Sequence, residues 1–123
     1  MAARVLVVDD SELNIEIATY LLTRAGLVVA SVLDPGSVLA QVDAFAPDLV
    51  LMDIQMPGID GLALTQRLRS QPATRDLVIV AFNAYAMKGD RERFIDGGCD
   101  GYIGKPIDVA TFADEVRALV PAR

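Results

Sequence analysis

Five short apolar runs limit what this chain can fold into: Val5-Leu6-Val7-Val8, residues 28–32, Leu49-Val50-Leu51-Met52, Leu77-Val78-Ile79-Val80-Ala81-Phe82 and Tyr102-Ile103-Gly104. They are continuous rather than alternating, so a strand built from any of them must be covered on both faces. Sheets of that kind are parallel and carry helices on either side, and amphipathic stretches lie between the runs. Four runs also end in charged or polar residues: Asp9-Asp10, Asp53, Asn83 and Lys105-Pro106. In a parallel sheet these endings share one edge, where open α/β sheets bind ligands.

The connections carry their own punctuation. Ser11 is placed to cap a helix with Leu13, Ile17 and Leu21 on one face, closed by Gly26. Asp34-Pro35-Gly36 starts a second helix with Val38, Leu39, Val42 and Phe45 inward, and Ala46-Pro47-Asp48 breaks it. Met56-Pro57-Gly58-Ile59-Asp60-Gly61 reads as a loop without regular structure, followed by a third helix carrying Leu62, Leu64 and Leu68. A polar helix is expected around residues 87–96, stopped by Gly97-Gly98, and Asp108 is placed to cap a last helix with Phe112, Val116, Leu119 and Val120 inward. The pattern is (βα)5, and a single domain over residues 1–123 without an output domain is expected. Right-handed crossovers favour a flavodoxin-like, doubly wound parallel α/β sheet of strand order 2-1-3-4-5. That order makes the first and third strands neighbours and brings Asp9, Asp10 and Asp53 together.

Composition narrows the function. A net charge of −6, with two distant lysines and nine scattered arginines, leaves no basic stripe for direct nucleic-acid binding. The single cysteine, Cys99, excludes an internal disulfide, suits a reducing cytosol and reads as a small buried apolar residue. No run is long enough to span a bilayer and no signal-peptide pattern opens the chain, so a cytoplasmic location without a membrane partner is expected. Histidine is absent, which removes histidine bases and histidine-ligated metals from this chain's own chemistry.

Asp9-Asp10 alone is an ordinary helix cap beside a solvated charge, and Asp53 alone is one of many loop aspartates. Together at neighbouring strand ends, three carboxylates repel one another and call for a compensating cation. Hard oxygen ligands in an open crevice select Mg2+. Lys105 brings a second positive charge from the far side. Such a pocket suits transfer of a phosphoryl group to a carboxylate. Asp53 is the best acceptor because it ends a central strand, where the Ile54-Gln55 backbone offers a carbonyl to the metal.

The stretches Val5-Leu6-Val7-Val8-Asp9-Asp10, Asp48 through Gly61 and Tyr102-Ile103-Gly104-Lys105-Pro106 resemble the receiver domain of response regulators in two-component signalling, in register from about Arg4 to Val120. Ala86-Met87-Lys88-Gly89-Asp90-Arg91-Glu92-Arg93 with Gly97-Gly98-Cys99 resembles DivK-type single-domain receivers and the receivers of hybrid sensor kinases. The resemblance implies that Asp53 is the phosphoacceptor and that Asp10 ligates Mg2+, with Asp9 helping directly or through water and the Gln55 backbone carbonyl completing the set. It implies that Lys105 contacts the phosphoryl group across a cis bond to Pro106. Tyr102 matches an aromatic position that turns inward on activation, and Tyr85, Met87, Lys88 and Arg91 fall on the partner face. A sensor histidine kinase or histidine phosphotransfer protein is the implied donor, and the downstream target is another protein. The implied role is phosphorelay signalling rather than turnover of external substrates, with Mg2+ and no organic cofactor.

One position departs from the family. The fourth strand there ends in Thr or Ser, and here it ends in Asn83. An amide still donates to a phosphoryl oxygen, but it reaches further and lacks the stiffening β-branch. Phosphorylation is expected to survive, with weakened switching. Three other readings compete. A haloacid-dehalogenase-type phosphatase needs a second aspartate where Gln55 stands. A flavodoxin-like FMN binder needs a hydroxyl- and glycine-rich loop where Asp9-Asp10-Ser11-Glu12 stands. A phosphorylation-independent pseudo-receiver draws support from Asn83 alone.

Overall fold

The computed structural model describes residues 2–56, 59–83 and 89–121, with backbone alone at 35, 55, 56 and 59. In chain order the elements are β1 (Arg4–Val8), α1 (Glu12–Arg24), β2 (Val28–Val32), a 3-10 turn (Pro35–Ser37), α2 (Val38–Phe45), β3 (Leu49–Asp53), β4 (Gln55–Met56), β5 (Ile59–Asp60), α3 (Gly61–Arg69), β6 (Val78–Asn83), α4 (Asp90–Asp96), β7 (Gly101–Gly104) and α5 (Phe112–Leu119). The five apolar runs form one parallel sheet in the order β2-β1-β3-β6-β7. Counted as runs, this is the expected 2-1-3-4-5.

Because successive strand residues point to opposite faces, each run feeds two cores. Leu6, Val8, Val50, Met52, Ile79 and Ala81 pack against α2, α3 and α4 through Val38, Val42, Leu64, Leu68 and Phe94. Val5, Val7, Leu49, Leu51, Val80, Phe82 and Ile103 pack against α1 and α5 through Ala18, Leu22, Phe112 and Val116. This is why the runs are continuous in apolar character. Cys99 is buried in the first of these cores, and burial pushes its thiol pKa up. Arg69 ties α3 to the sheet by donating to the Gly98, Arg75 and Leu77 carbonyls and pairing with Asp100.

Three local expectations are corrected. Leu21 packs against the core as expected, but the fully buried positions of α1 are Ala18 and Leu22, and Leu13 is 64% exposed. Leu13, in the first turn, is well off the helical angle of Ala18 and Leu22 and so points outward. The segment expected to lack regular structure instead contains a short antiparallel ribbon, with Gln55 opposite Asp60 and Met56 opposite Ile59. The Pro-Gly pair at 57–58 lies outside the described residues, and the residues flanking it keep the N–H groups a ladder needs. Asp60 then caps α3 through the Leu62 N–H (2.9 Å). Asp108 accepts from the Ala110 N–H (3.0 Å), capping the turn before α5 rather than α5 itself, whose N-cap is Thr111. Ser11 does cap α1, accepting from the Asn14 N–H (3.3 Å).

Candidate functional site

The site is assembled at the carboxyl ends of β1, β3, β6 and β7. Asp9 follows β1 and Asp53 ends β3, and the parallel pairing of Val8 with Met52 places the two acids side by side. By strand alternation, Asp9, Asp53 and Lys105 continue the rows that face α1 and α5. Asp9 is 0% exposed and Asp53 is 3% exposed, while Asp10 is exposed at the rim. One carboxylate oxygen from each of the three lies within 4.8 Å of the others. This donor set, hard, anionic and open on one side, fits a divalent cation of the Mg2+ type.

Lys105 follows β7, and its peptide bond to Pro106 is cis. Its N–H donates to the Asn83 carbonyl (2.8 Å), anchoring the turn to the end of β6. Its ammonium lies 2.8 Å from Asp9 Oδ2 and 3.1 Å from Asp53 Oδ2, and 4.8 Å from the centre of the Phe82 ring. The side chain is only 10% exposed, so solvent screens these contacts weakly.

Asp9 is held on both oxygens. The Ser11 N–H donates to Oδ1 (2.9 Å), and the Asn14 side-chain amide approaches Oδ2 at 3.5 Å, beside Lys105. Asn14 was not singled out by sequence reasoning. The available signal was its place in the first turn of α1, five residues after Asp9, on a helix whose start is fixed by Ser11.

Asn83 is fully buried at the end of β6, opposite Gly104 in register. Strand alternation puts it in the row facing α2, α3 and α4, the same face as Tyr102. The Tyr102 ring stacks against Phe94 of α4 with centroids 5.7 Å apart. Its hydroxyl is buried and has no hydrogen-bond partner among the described residues. Burial, and then the charge of Asp90, raise the Tyr102 pKa above the ordinary phenol value. Arg91 is exposed on α4. Tyr85, Met87 and Lys88 lie outside the described residues, and Gln55 is described only through its backbone in β4.

A glycine-dependent contact fixes the site from below. A Cβ on Gly61 would stand 2.8 Å from the Ile54 Cα and 2.9 Å from the Asp53 carbonyl oxygen. Only glycine lets the start of α3 come this close to the chain around Asp53.

Comparisons with known proteins agree with this geometry. Residues 5–117 match the response regulator receiver domain. The chain is 36% identical over 118 residues to the polar-differentiation response regulator DivK of Brucella anthropi, covering 96% of each chain, and to DivK of Brucella ovis at the same identity and coverage. A putative response regulator from Chloroflexus aurantiacus superposes with a TM-score of 0.89 at 27% identity, covering 98% of both chains. The signal receiver domain of a signal transduction histidine kinase from Syntrophus aciditrophicus superposes with a TM-score of 0.83 at 28% identity, over 97% of this chain and 90% of that one. The family normally binds Mg2+ at an acidic pocket, and the three clustered aspartates supply one here. On sequence, fold and the acid cluster alike, this chain belongs to the response regulator receiver domains of two-component signalling.

Proposed function

We propose that Asp53 accepts a phosphoryl group from a phosphohistidine of a sensor histidine kinase or histidine phosphotransfer protein, and that the chain passes the signal on by protein–protein contact. The observation that carries this reading is the convergence of three carboxylates within 4.8 Å beside a nearly buried lysine at one sheet edge. An Asp53 carboxylate oxygen attacks phosphorus, the P–N bond of the donor breaks, and the imidazole leaves with its electron pair. The product is an aspartyl phosphate. Asp10 and Asp53 would hold Mg2+, with Asp9 and the Gln55 backbone carbonyl assisting. When bound, the ion supplies positive charge to the phosphoryl oxygens and to the crowded carboxylates.

The chain's own residues do the rest. Lys105 stands 3.1 Å from the acceptor carboxylate, so a small swing places its ammonium on a phosphoryl oxygen. Burial of Asp53 limits water at the carbonyl and so protects the acyl phosphate. The Lys105 ammonium reaches the acceptor carboxylate directly, so acceptance of phosphate is expected to be intact with asparagine at position 83. Communication with Tyr102 is where Asn83 acts, because β6 and β7 pair at Asn83 and Gly104, beside the Tyr102 hydroxyl. Tyr102 is already stacked under Phe94, which supports a receiver with a small difference between its resting and phosphorylated states.

Incubation with acetyl phosphate and Mg2+ tests the reading. Intact-mass measurement should show one added phosphoryl group, lost when a chelator is present. No addition under either condition would leave a phosphorylation-independent binding module. Amide shifts around Tyr102 after beryllofluoride loading test the switch: small shifts are expected, and shifts the size of an ordinary receiver transition would refute weak switching.

A further inference from the structure

We propose that Asn14 is a positioning residue that takes over the buried carboxylate of Asp9 when Lys105 turns to the phosphoryl group. Asp9 is fully buried, so its charge is satisfied by protein donors and, when Mg2+ is bound, by the ion it helps to hold. Among the described residues Asp9 has three donors. The Ser11 N–H holds Oδ1 at 2.9 Å, Lys105 holds Oδ2 at 2.8 Å, and the Asn14 amide stands 3.5 Å from that same Oδ2.

Lys105 is shared, because its one ammonium also reaches Asp53 Oδ2 at 3.1 Å. A phosphoryl group on Asp53 adds anionic oxygens on that side and draws the ammonium away from Asp9. Asp9 Oδ2 then loses its strongest protein partner while remaining buried. Asn14 is the donor in place to replace it. Its present contact is at the outer limit of a hydrogen bond and has room to close to about 2.9 Å. The residue is fixed from behind, since its own N–H is held by Ser11 Oγ at 3.3 Å in the α1 cap. Asn14 thus lets Lys105 move to the phosphoryl side while Asp9 Oδ2 keeps a side-chain donor of its own.

This inference rests on Asp53 being the phosphoryl acceptor, and its test separates the two. Calorimetric titration of the full chain with Mg2+ alone, and then with beryllofluoride at saturating Mg2+, gives two affinities for the wild type, Asn14→Ala and Asn14→Gln. Beryllofluoride stands in for the phosphoryl group and draws on Lys105 as phosphate does. For Asn14→Ala, beryllofluoride affinity should fall about tenfold more than Mg2+ affinity, the lower range for a hydrogen bond to a charged group. Asn14→Gln keeps the donor and should recover part of that difference. Equal losses in both affinities, or no loss, would overturn the assignment, because a general weakening of α1 acts on both alike. A wild-type protein that fails to bind beryllofluoride would instead overturn the phosphoryl-acceptor reading itself.

Discussion

Lys105→Met removes one positive charge from the acid cluster and keeps most of the side chain's length. At an effective dielectric near 20, the 2.8 Å contact with Asp9 and the 3.1 Å contact with Asp53 are worth roughly 6 and 5 kcal/mol of gross attraction. Desolvation of the ammonium offsets most of that. The net cost of leaving the partners behind is expected near 3 kcal/mol, the lower end for breaking a buried pair. Urea unfolding in the presence of a chelator measures it as a lower midpoint with an unchanged slope. A second titration in saturating Mg2+ isolates the cause. The variant's cluster carries three negative charges and no lysine, so it should bind the cation more tightly than the wild type does. The stability gap should therefore narrow, by linkage to the bound state. A variant within about 1 kcal/mol of the wild type in chelator would mean that Lys105 contributes no more than an exposed pair does. A gap of the same size with and without Mg2+ would refute the idea that lysine and metal neutralise the same carboxylates.

Gly61→Ala places a methyl group 2.8 Å from the Ile54 Cα and 2.9 Å from the Asp53 carbonyl, both rigid backbone. It should cost about 2 kcal/mol in urea unfolding and slow phosphorylation by acetyl phosphate, and wild-type values for both would contradict the close-approach argument. Tyr102→Phe removes a buried hydroxyl with no partner among the described residues, so stability should be unchanged or higher by about 1 kcal/mol. A clear loss would show that the hydroxyl is bonded. The same pair reports on pH. Because burial and Asp90 raise the Tyr102 pKa, the folded chain keeps a proton that the unfolded chain releases above about pH 10. Wild-type stability should thus fall relative to Tyr102→Phe as pH rises through that range and run parallel to it below. A difference independent of pH would remove the titration.

The sheet was legible because continuous apolar runs have one economical solution, burial on both faces, and right-handed crossovers then fix the strand order. The acid cluster was legible for the same reason: Asp9, Asp10, Asp53 and Lys105 end runs whose neighbours follow from that order. Finer features depend on packing that periodicity does not encode. Leu13 fits a helical stripe with Ile17 and Leu21, yet the face of α1 that the sheet buries is centred on Ala18 and Leu22. The Gln55–Asp60 ribbon was hidden by the Pro-Gly pair between its strands. Asp108 has the right residue type for a helix cap, but its carboxylate closes the preceding turn. Asn14 carries no motif of its own, and Gly61 enters only as the end of the loop stretch that resembles the family. Their importance comes from distances to Asp9 and to the Asp53 backbone, which only the folded chain supplies.

Location of the phosphoryl group tests the central claim most directly. After reaction with acetyl phosphate and Mg2+, borohydride reduction converts an aspartyl phosphate to homoserine, and peptide mass spectrometry identifies the residue. The expected result is conversion at Asp53 alone, abolished in Asp53→Asn. Conversion at another carboxylate, or undiminished labelling of Asp53→Asn, would contradict the account.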